Sequence, residues 1–372
     1  MANTRAALIR LAPVLFVAIG LVMLLLATRS FVGSSGFAYD YQAYDGAARR
    51  VAAGQPLYPP GTAEAYNSGE YAGLYLYPPP PAVALLPFVS VLSPDAAALA
   101  WLWLRLAALA LGCAILPVSA LARAATFAAA SISFPVWYDL NLGNTSVLLF
   151  GLSAVIWRFQ GRALGPVALA VTGVLRYPFG IVLLGWLIAK RWRAAGITIV
   201  AGLVVMALTF PFVGRDTWLD YFATMRGLVN VSGGPDNLSL ANTANALGIP
   251  GPAAIWVVLG IALAIGATAF AARRRDGSTA VVVSLAATIL AFPFFHPHYL
   301  VQLLIPAAFL AGRGQWWGLA LPVLGWLPGE AMPLVAAAGV TLPLLPARFL
   351  AFSGGGGRLD AAAEFGTGPT RP

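Results

Sequence analysis

The sequence predicts an all-α polytopic membrane protein, and three observations carry that prediction. Of 372 residues, 60% are hydrophobic and only 9% charged, where a soluble chain carries about 25% charged residues. The mean hydropathy is +0.81. Apolar runs near the length needed to cross lipid, about 20 residues with a floor near 17, recur along almost the whole chain. These features exclude a soluble globule, a disordered chain and a nucleic-acid binder. The formal charge of +9 is spread thinly between apolar runs, as loop charges of a membrane protein are. A single Cys113 excludes disulfides, and two histidines cannot build a zinc-type cluster.

The elements follow in order. The run 11–27 predicts a first transmembrane helix, not a cleaved signal peptide, because no small-residue cleavage site follows it. Further spans are predicted over 96–120, 124–140, 144–158, 163–175, 178–190, 195–212, 251–272, 279–295, 298–311, 316–329 and 332–352. That makes a bundle of about twelve helices within one integral-membrane domain, 1–352. Segment 80–92 opens on the run Pro78-Pro79-Pro80-Pro81 and is too short to span, so it is predicted as interfacial or re-entrant. The tail 353–372, with four consecutive glycines, is predicted to be flexible and cytoplasmic.

Arginine placement orients the bundle. With a cytoplasmic N-terminus, the inner face receives Arg5, Arg10, Arg123, Arg158, Arg162, Lys190, Arg191, Arg193, Arg273, Arg274, Arg275, Arg313, Arg348, Arg358 and Arg371. The outer face receives Arg29, Arg49, Arg50, Arg215 and Arg226, and Arg105 and Arg176 fall at membrane depth. Most acids, including Asp40, Asp45, Asp139 and Asp236, fall outside. Two long polar stretches, 30–79 and 213–248, also land outside. Loops on a rigid scaffold are where sites form, so the chemistry is expected on the extracytoplasmic face.

Within the first loop, Asp40 is placed to cap a short helix over 41–53, closed by Gly54. Tyr44, Ala47, Ala48 and Val51 would share one face of that helix, lying on the membrane surface. Asp40 thus reads either as a helix cap or as a carboxylate base at the lipid–water boundary, its pKa raised by partial burial. Asp45 reads as solvent-facing. The cluster His296-Pro297-His298, at a proline-broken helix end, reads as structural or as hydrogen-bonding to a hydroxyl or a phosphate. Arg176, inside an apolar stretch, reads as a snorkelling residue or as a phosphate ligand. The segment 141–146, with Asn144, is either a tight turn or a sugar contact. The amides and aromatics of the second loop, Asn237 among them, suit a carbohydrate.

Several of these pieces fall in a recognisable order: Asp40-x-x-x-Tyr44, Ala47-Ala48, Gly54-x-Pro56-Leu57-Tyr58, Tyr77-Pro78-Pro79, Gly143-Asn144, Gly173 to Pro178 around Arg176, Lys190-Arg191-Trp192-Arg193, Asn237-Leu238-Ser239 and His298-Tyr299. The set resembles glycosyltransferase family 87, whose members have the GT-C fold and include mannosyltransferases of phosphatidylinositol mannoside synthesis. The chain lacks the Gln of that family's Gly-Gln-x-Asn pattern and carries Arg176 where a Lys is more usual. The resemblance implies a bacterial plasma-membrane hexosyltransferase. Its donor would be a polyprenyl-phosphate sugar, with mannose the leading candidate, and its acceptor a glycolipid or glycan. The resemblance implies Asp40 as general base of an inverting transfer. Arg176, His298, His296, Arg49, Arg50 and Asn144 would hold the donor, with Tyr44 and Asn237 at the acceptor. No cofactor, divalent metal or nucleic acid is expected. The alternative class is a transporter or flippase of lipid-linked sugars or polysaccharide.

Overall fold

The computed structural model describes residues 2–228, 237–249, 251–274, 276–292 and 294–345. Every regular element among them is helical. The tail 353–372, the end of the predicted span 332–352, Arg275 and Asp236 lie outside the described residues.

Helix α1 (Ala2–Phe31) is a long span, as are α6 (Pro94–Ile115) and α15 (Ala253–Ala272). Two more crossings exist if each of two bent pairs counts as one. These are α8 (Phe134–Leu142) with α9 (Ser146–Arg158), bent by 119°, and α12 (Trp192–Ala207) with α13 (Phe210–Gly227), bent by 100°. Three to five helices are therefore long and apolar enough to cross, against the twelve spans predicted. Most of the difference is length. The predicted spans 163–175 and 178–190 are found as α10 (Leu164–Leu175) and α11 (Gly180–Ile188), and 279–295 lies largely in α16 (Gly277–Ala287), each an apolar helix shorter than a single crossing needs. The predicted span 124–140 is divided between α7 (Ala120–Ser131) and α8. The 3₁₀ turn Pro297–Leu303 leads into α17 (Leu304–Gly312), and α19 (Met332–Thr341) ends the described chain apart from one short turn.

Helices α1, α12 and α15 present rows of exposed apolar side chains, among them Leu21, Leu25, Leu203 and Val258. Such faces suit lipid, where only the backbone must be satisfied internally. The main core packs Leu109, Phe150, Leu169, Phe179, Val282 and Leu304 between the inner helices.

The first loop has a core of its own. Helix α2 (Tyr39–Ala52) packs on α4 (Pro79–Ala84) and α5 (Leu86–Val89) through Tyr44, Ala47, Ala48, Tyr75 and Trp101. The predicted apolar face of α2 exists, but it is buried against protein instead of resting on the membrane surface. Gly54 closes α2 as expected: its φ is +66°, and Gln55 N–H reaches back to the Arg50 carbonyl at 2.8 Å. The start of α2 differs from expectation. Ala38, in the left-handed conformation, precedes the first turn, and its N–H donates to the Asn141 carbonyl at 2.7 Å. Asp40 is inside that turn and caps nothing. Segment 80–92 is two short helices that pack on α2. The described part of the second loop is also helical, in α13 and α14 (Leu240–Ala246). There Trp218 and Tyr221 pack together, and Tyr221 meets Tyr58 of the first loop.

One buried ion pair fixes the corner between α8 and α9. Arg105 and Asp139 are both fully buried, 3.6 Å apart. Arg105 also donates to the carbonyls of Asp139 at 2.6 Å and Leu140 at 3.1 Å. The Asp139 carboxylate accepts from Ser146 N–H at 2.9 Å and Val147 N–H at 3.4 Å, so it caps α9 across the turn. The sequence placed Asp139 among the outer-face acids. The structure instead buries it, because an arginine in an apolar helix needs a partner. Removing one partner of such a pair costs about 3–5 kcal/mol. Arg105→Met is therefore expected to unfold many degrees below wild type in detergent, whereas Arg313→Met, which breaks the half-exposed pair with Asp276, should shift the midpoint by no more than a degree or two. Thermal scans of the two variants side by side check this.

Candidate functional site

The corner 139–146 hands the chain to a cluster that includes four of the residues singled out above. Gly143 makes the turn at φ +83°, lying so close to Tyr41 that a Cβ would come within 2.7 Å of the tyrosine's own Cβ. Trp101 Nε1–H holds the Gly143 carbonyl at 2.8 Å. Asn144 follows, buried, with its side chain aimed at α2. Its Nδ2 donates to Asp40 Oδ2 at 2.7 Å. Its Oδ1 accepts from Thr145 N–H at 2.6 Å and from Arg176 Nη2 at 3.3 Å. One amide thus joins the carboxylate and the guanidinium, which make no direct ion pair.

Arg176 stands where α10 ends. Its backbone is extended, and Pro178 prevents the helix from continuing. The guanidinium donates to Tyr299 Oη at 2.7 Å and, by a short bond, to Tyr77 Oη. It also lies 4.4 Å from the Tyr77 ring centroid and 4.8 Å from that of Tyr299, the range of cation–π attraction. Tyr77 precedes the proline run, and its carbonyl accepts from Tyr58 Oη at 2.6 Å. Tyr77 and Tyr299 stand in the sequence only as members of the Tyr77-Pro78-Pro79 and His298-Tyr299 motifs, with no role assigned; the structure makes them the partners of Arg176.

His298 is buried, and neither ring nitrogen has a partner among the described residues. It stacks between Tyr138, His296 and the edge of Tyr299, with centroids at 6.0, 5.6 and 4.5 Å. His296 precedes Pro297 in extended backbone, as a pre-proline residue should. Tyr44 is almost wholly buried, with its ring 4.8 Å from Tyr77.

Other sequence candidates are occupied elsewhere. Arg49 grips Asp45 at 2.7 Å and the carbonyls of Val89 and Leu92, tying α2 to α5. Asp45 is consequently buried rather than solvent-facing. Arg50 donates to the Leu57 carbonyl at 3.3 Å. The Asn237 carbonyl-side oxygen accepts from Ser239 N–H at 3.1 Å and Phe295 N–H at 2.9 Å, stitching the second loop to the segment before His296. The structure therefore brings together Asp40, Asn144, Arg176 and Tyr44, sets the histidine pair beside Tyr299, and uses Arg49, Arg50 and Asn237 as ties around them.

Burial pushes the Asp40 carboxyl above its ordinary value, while the Asn144 bond and the positive charges of Arg176 and Arg105 pull it back. Asp40 is in α2, outside the spanning helices. Chemically the cluster offers a proton acceptor at one end and a fixed cation at the other. Among the described residues, no three His, Cys, Asp or Glu side chains gather as a metal site would need.

A family model described as Glycosyltransferase family 87 matches residues 75–302, well over half of the chain. No curated protein and no solved structure matches.

The pH response tests the amide link. Asn144→Ala removes a bond that lowers the Asp40 pKa, so a step that needs ionised Asp40 should lose rate at a higher pH than in wild type. Charge-assisted bonds contribute about 1.5–3 kcal/mol, so catalytic efficiency at neutral pH should fall about 10- to 100-fold. A pH profile of the variant checks both.

Proposed function

The chain belongs to glycosyltransferase family 87 and is a membrane glycosyltransferase, and from that premise we propose a specific reaction for the cluster around Asn144. The transporter alternative is set aside by the family. The donor is a hexose, mannose first among candidates, on a polyprenyl monophosphate. The acceptor is a hydroxyl of a glycolipid or glycan. The enzyme has a GT-C-type bundle, is similar to the mannosyltransferases of phosphatidylinositol mannoside synthesis, and works on the extracytoplasmic face of a bacterial plasma membrane.

Asp40 takes the proton of the acceptor hydroxyl as that oxygen bonds to the anomeric carbon. The bond from that carbon to the phosphate oxygen breaks on the opposite face, so configuration inverts. The electron pair leaves with polyprenyl monophosphate, and Arg176 stabilises its added charge. His298 supplies a further donor to a phosphate or sugar oxygen, with His296 beside it. Tyr44 and Asn237 shape the acceptor side indirectly, through packing and through the loop tie. No divalent metal takes part, because the leaving group is a monophosphate and Arg176 carries its charge.

The observation that carries this reading is the shared amide. Asn144 fixes base and cation at a set separation without letting them neutralise each other. A direct Asp40–Arg176 pair would leave a weaker base and an occupied phosphate ligand. Arg176 instead rests on neutral tyrosine hydroxyls, which can yield to a phosphate without breaking an ion pair.

Radiolabel transfer from polyprenyl-phosphate-mannose to endogenous lipids tests the proposal. General-base assistance amounts to roughly 10²–10⁴ in rate, so Asp40→Asn should lose transfer by about that factor. EDTA should leave wild-type transfer unchanged. The same substitution should raise the thermal midpoint. A carboxyl whose folded pKa lies above its unfolded value loses stability as pH rises between the two, so a neutral amide at 40 relieves a cost present at neutral pH. Full activity in Asp40→Asn would remove the base assignment, and failure of wild type with every prenyl-phosphate sugar would remove the donor class.

A further inference from the structure

The opposite, arginine-rich end of the bundle holds a second built feature. A cleft of about 230 Å³ opens between the ends of α11, α15 and α16 and the turn before α12. Trp186, Arg191, Arg274, Gly277 and Ser284 are among its lining residues. Neither arginine has a carboxylate partner among the described residues. Arg191 donates once to Gln160 Oε1, at 2.7 Å, and Arg274 once to the Leu344 carbonyl, at 2.7 Å. Each guanidinium carries five N–H donors, so most of their capacity remains. Trp186 is buried and its indole N–H has no partner among the described residues. Gly277 leaves room for Arg191: a Cβ there would stand 2.7 Å from Nη2. The nearby acid, Asp276, is outside the lining and already accepts from Ser278, Thr279 and Arg313.

Two guanidinium groups without a carboxylate, Arg274 lying over the Phe270 ring at 4.5 Å, and an indole N–H without a partner among the described residues line one cleft, a donor set suited to a phosphate. Its surroundings name the carrier. Helices α12 and α15 flank the cleft, and both expose apolar side chains, Leu203 and Val204 on one, Leu263 and Phe270 on the other. Trp192, exposed at the first turn of α12, stands where interfacial aromatics stand in spanning helices. We propose that this cleft binds the phosphate of an anionic phospholipid from the adjoining leaflet, with its acyl chains along α12 and α15. The inference is independent of the reaction at Asp40.

Thermal unfolding of the full-length protein in zwitterionic detergent tests it, with phosphatidylglycerol, phosphatidylcholine of the same chains, or inorganic phosphate added. Phosphatidylglycerol should raise the midpoint by about 2–4 °C, as saturating ligand does, and phosphatidylcholine should not. The double variant R191Q/R274Q should weaken the phosphatidylglycerol response at least tenfold in concentration. Trp186→Phe, which removes only the N–H and decides the matter if the double variant does not fold, should weaken it severalfold. Arg193→Gln, an exposed arginine outside the lining, should keep the wild-type response. An equal response to phosphatidylcholine, an equal loss in Arg193→Gln, or a wild-type response in Trp186→Phe overturns the site. A full response to inorganic phosphate alone overturns the lipid as its source and leaves a soluble anion.

Discussion

The Arg105–Asp139 pair is the constraint on which the site depends. An arginine and a carboxylate inside an apolar bundle are each costly, and they are tolerated because every strong bond they can make is used. Asp139 is shared between Arg105 and the open N-terminus of α9. Arg105 is shared between that carboxylate and the last carbonyls of α8. The 119° bend between the two helices is thereby set from inside. Gly143 and the Trp101 bond then fix the turn, and Asn144 has one direction left in which to point. The spacing of Asp40 and Arg176 thus originates in a buried pair that hydrogen-bonds to neither of them.

Asn144 is well suited to its place because an amide is polar at both ends and charged at neither. Its N–H₂ side faces a carboxylate and its oxygen side faces a guanidinium, so both bonds are charge-assisted. An acid at this position would repel Asp40, and a cation would repel Arg176. The arrangement also explains why Asp40 can be half-buried and yet remain competent to ionise. Desolvation raises its pKa, and the amide bond and two arginines limit the rise.

Much of this was legible in the sequence, for a simple reason. In a chain with so few charges, each charged residue within an apolar stretch must answer for itself. Arg176 stood out on that basis, Asp40 as a carboxylate just beyond the first helix and the histidine pair at a proline-broken helix end, and the order of motifs joined them. The turn at 141–146 was visible as a polar break; it is a tight turn, and its asparagine faces Asp40 and Arg176. What was not legible depends on pairing across the fold. Nothing near Asp139 in sequence reveals Arg105, 34 residues earlier. Arg49 and Arg50 looked like free cations because their partners, Asp45 apart, are carbonyls, which have no sequence signature. The lengths of the apolar helices were not legible either: segments such as 163–175 and 178–190 form helices too short to cross alone, because Pro178 and Pro297 interrupt the helix where apolar composition continues.

The polar atoms left without partners complete the argument for where a phosphate would sit. Buried donors and acceptors are nearly always satisfied. Among the described residues, the Nε of Arg176 and both nitrogens of His298 have no partner. Each unmet group costs about 1–3 kcal/mol. On the proposed reading these are the groups that a sugar phosphate would satisfy. A neutral imidazole brings one donor and one acceptor, so His298 can serve a phosphate oxygen and a sugar hydroxyl together. Its rings of contact, Tyr138, His296 and Tyr299, restrict its rotation, and the cost of orienting it is already met in the fold. The enclosure is therefore ordered in advance for an anion, and on the proposed reading that order favours binding at the phosphate.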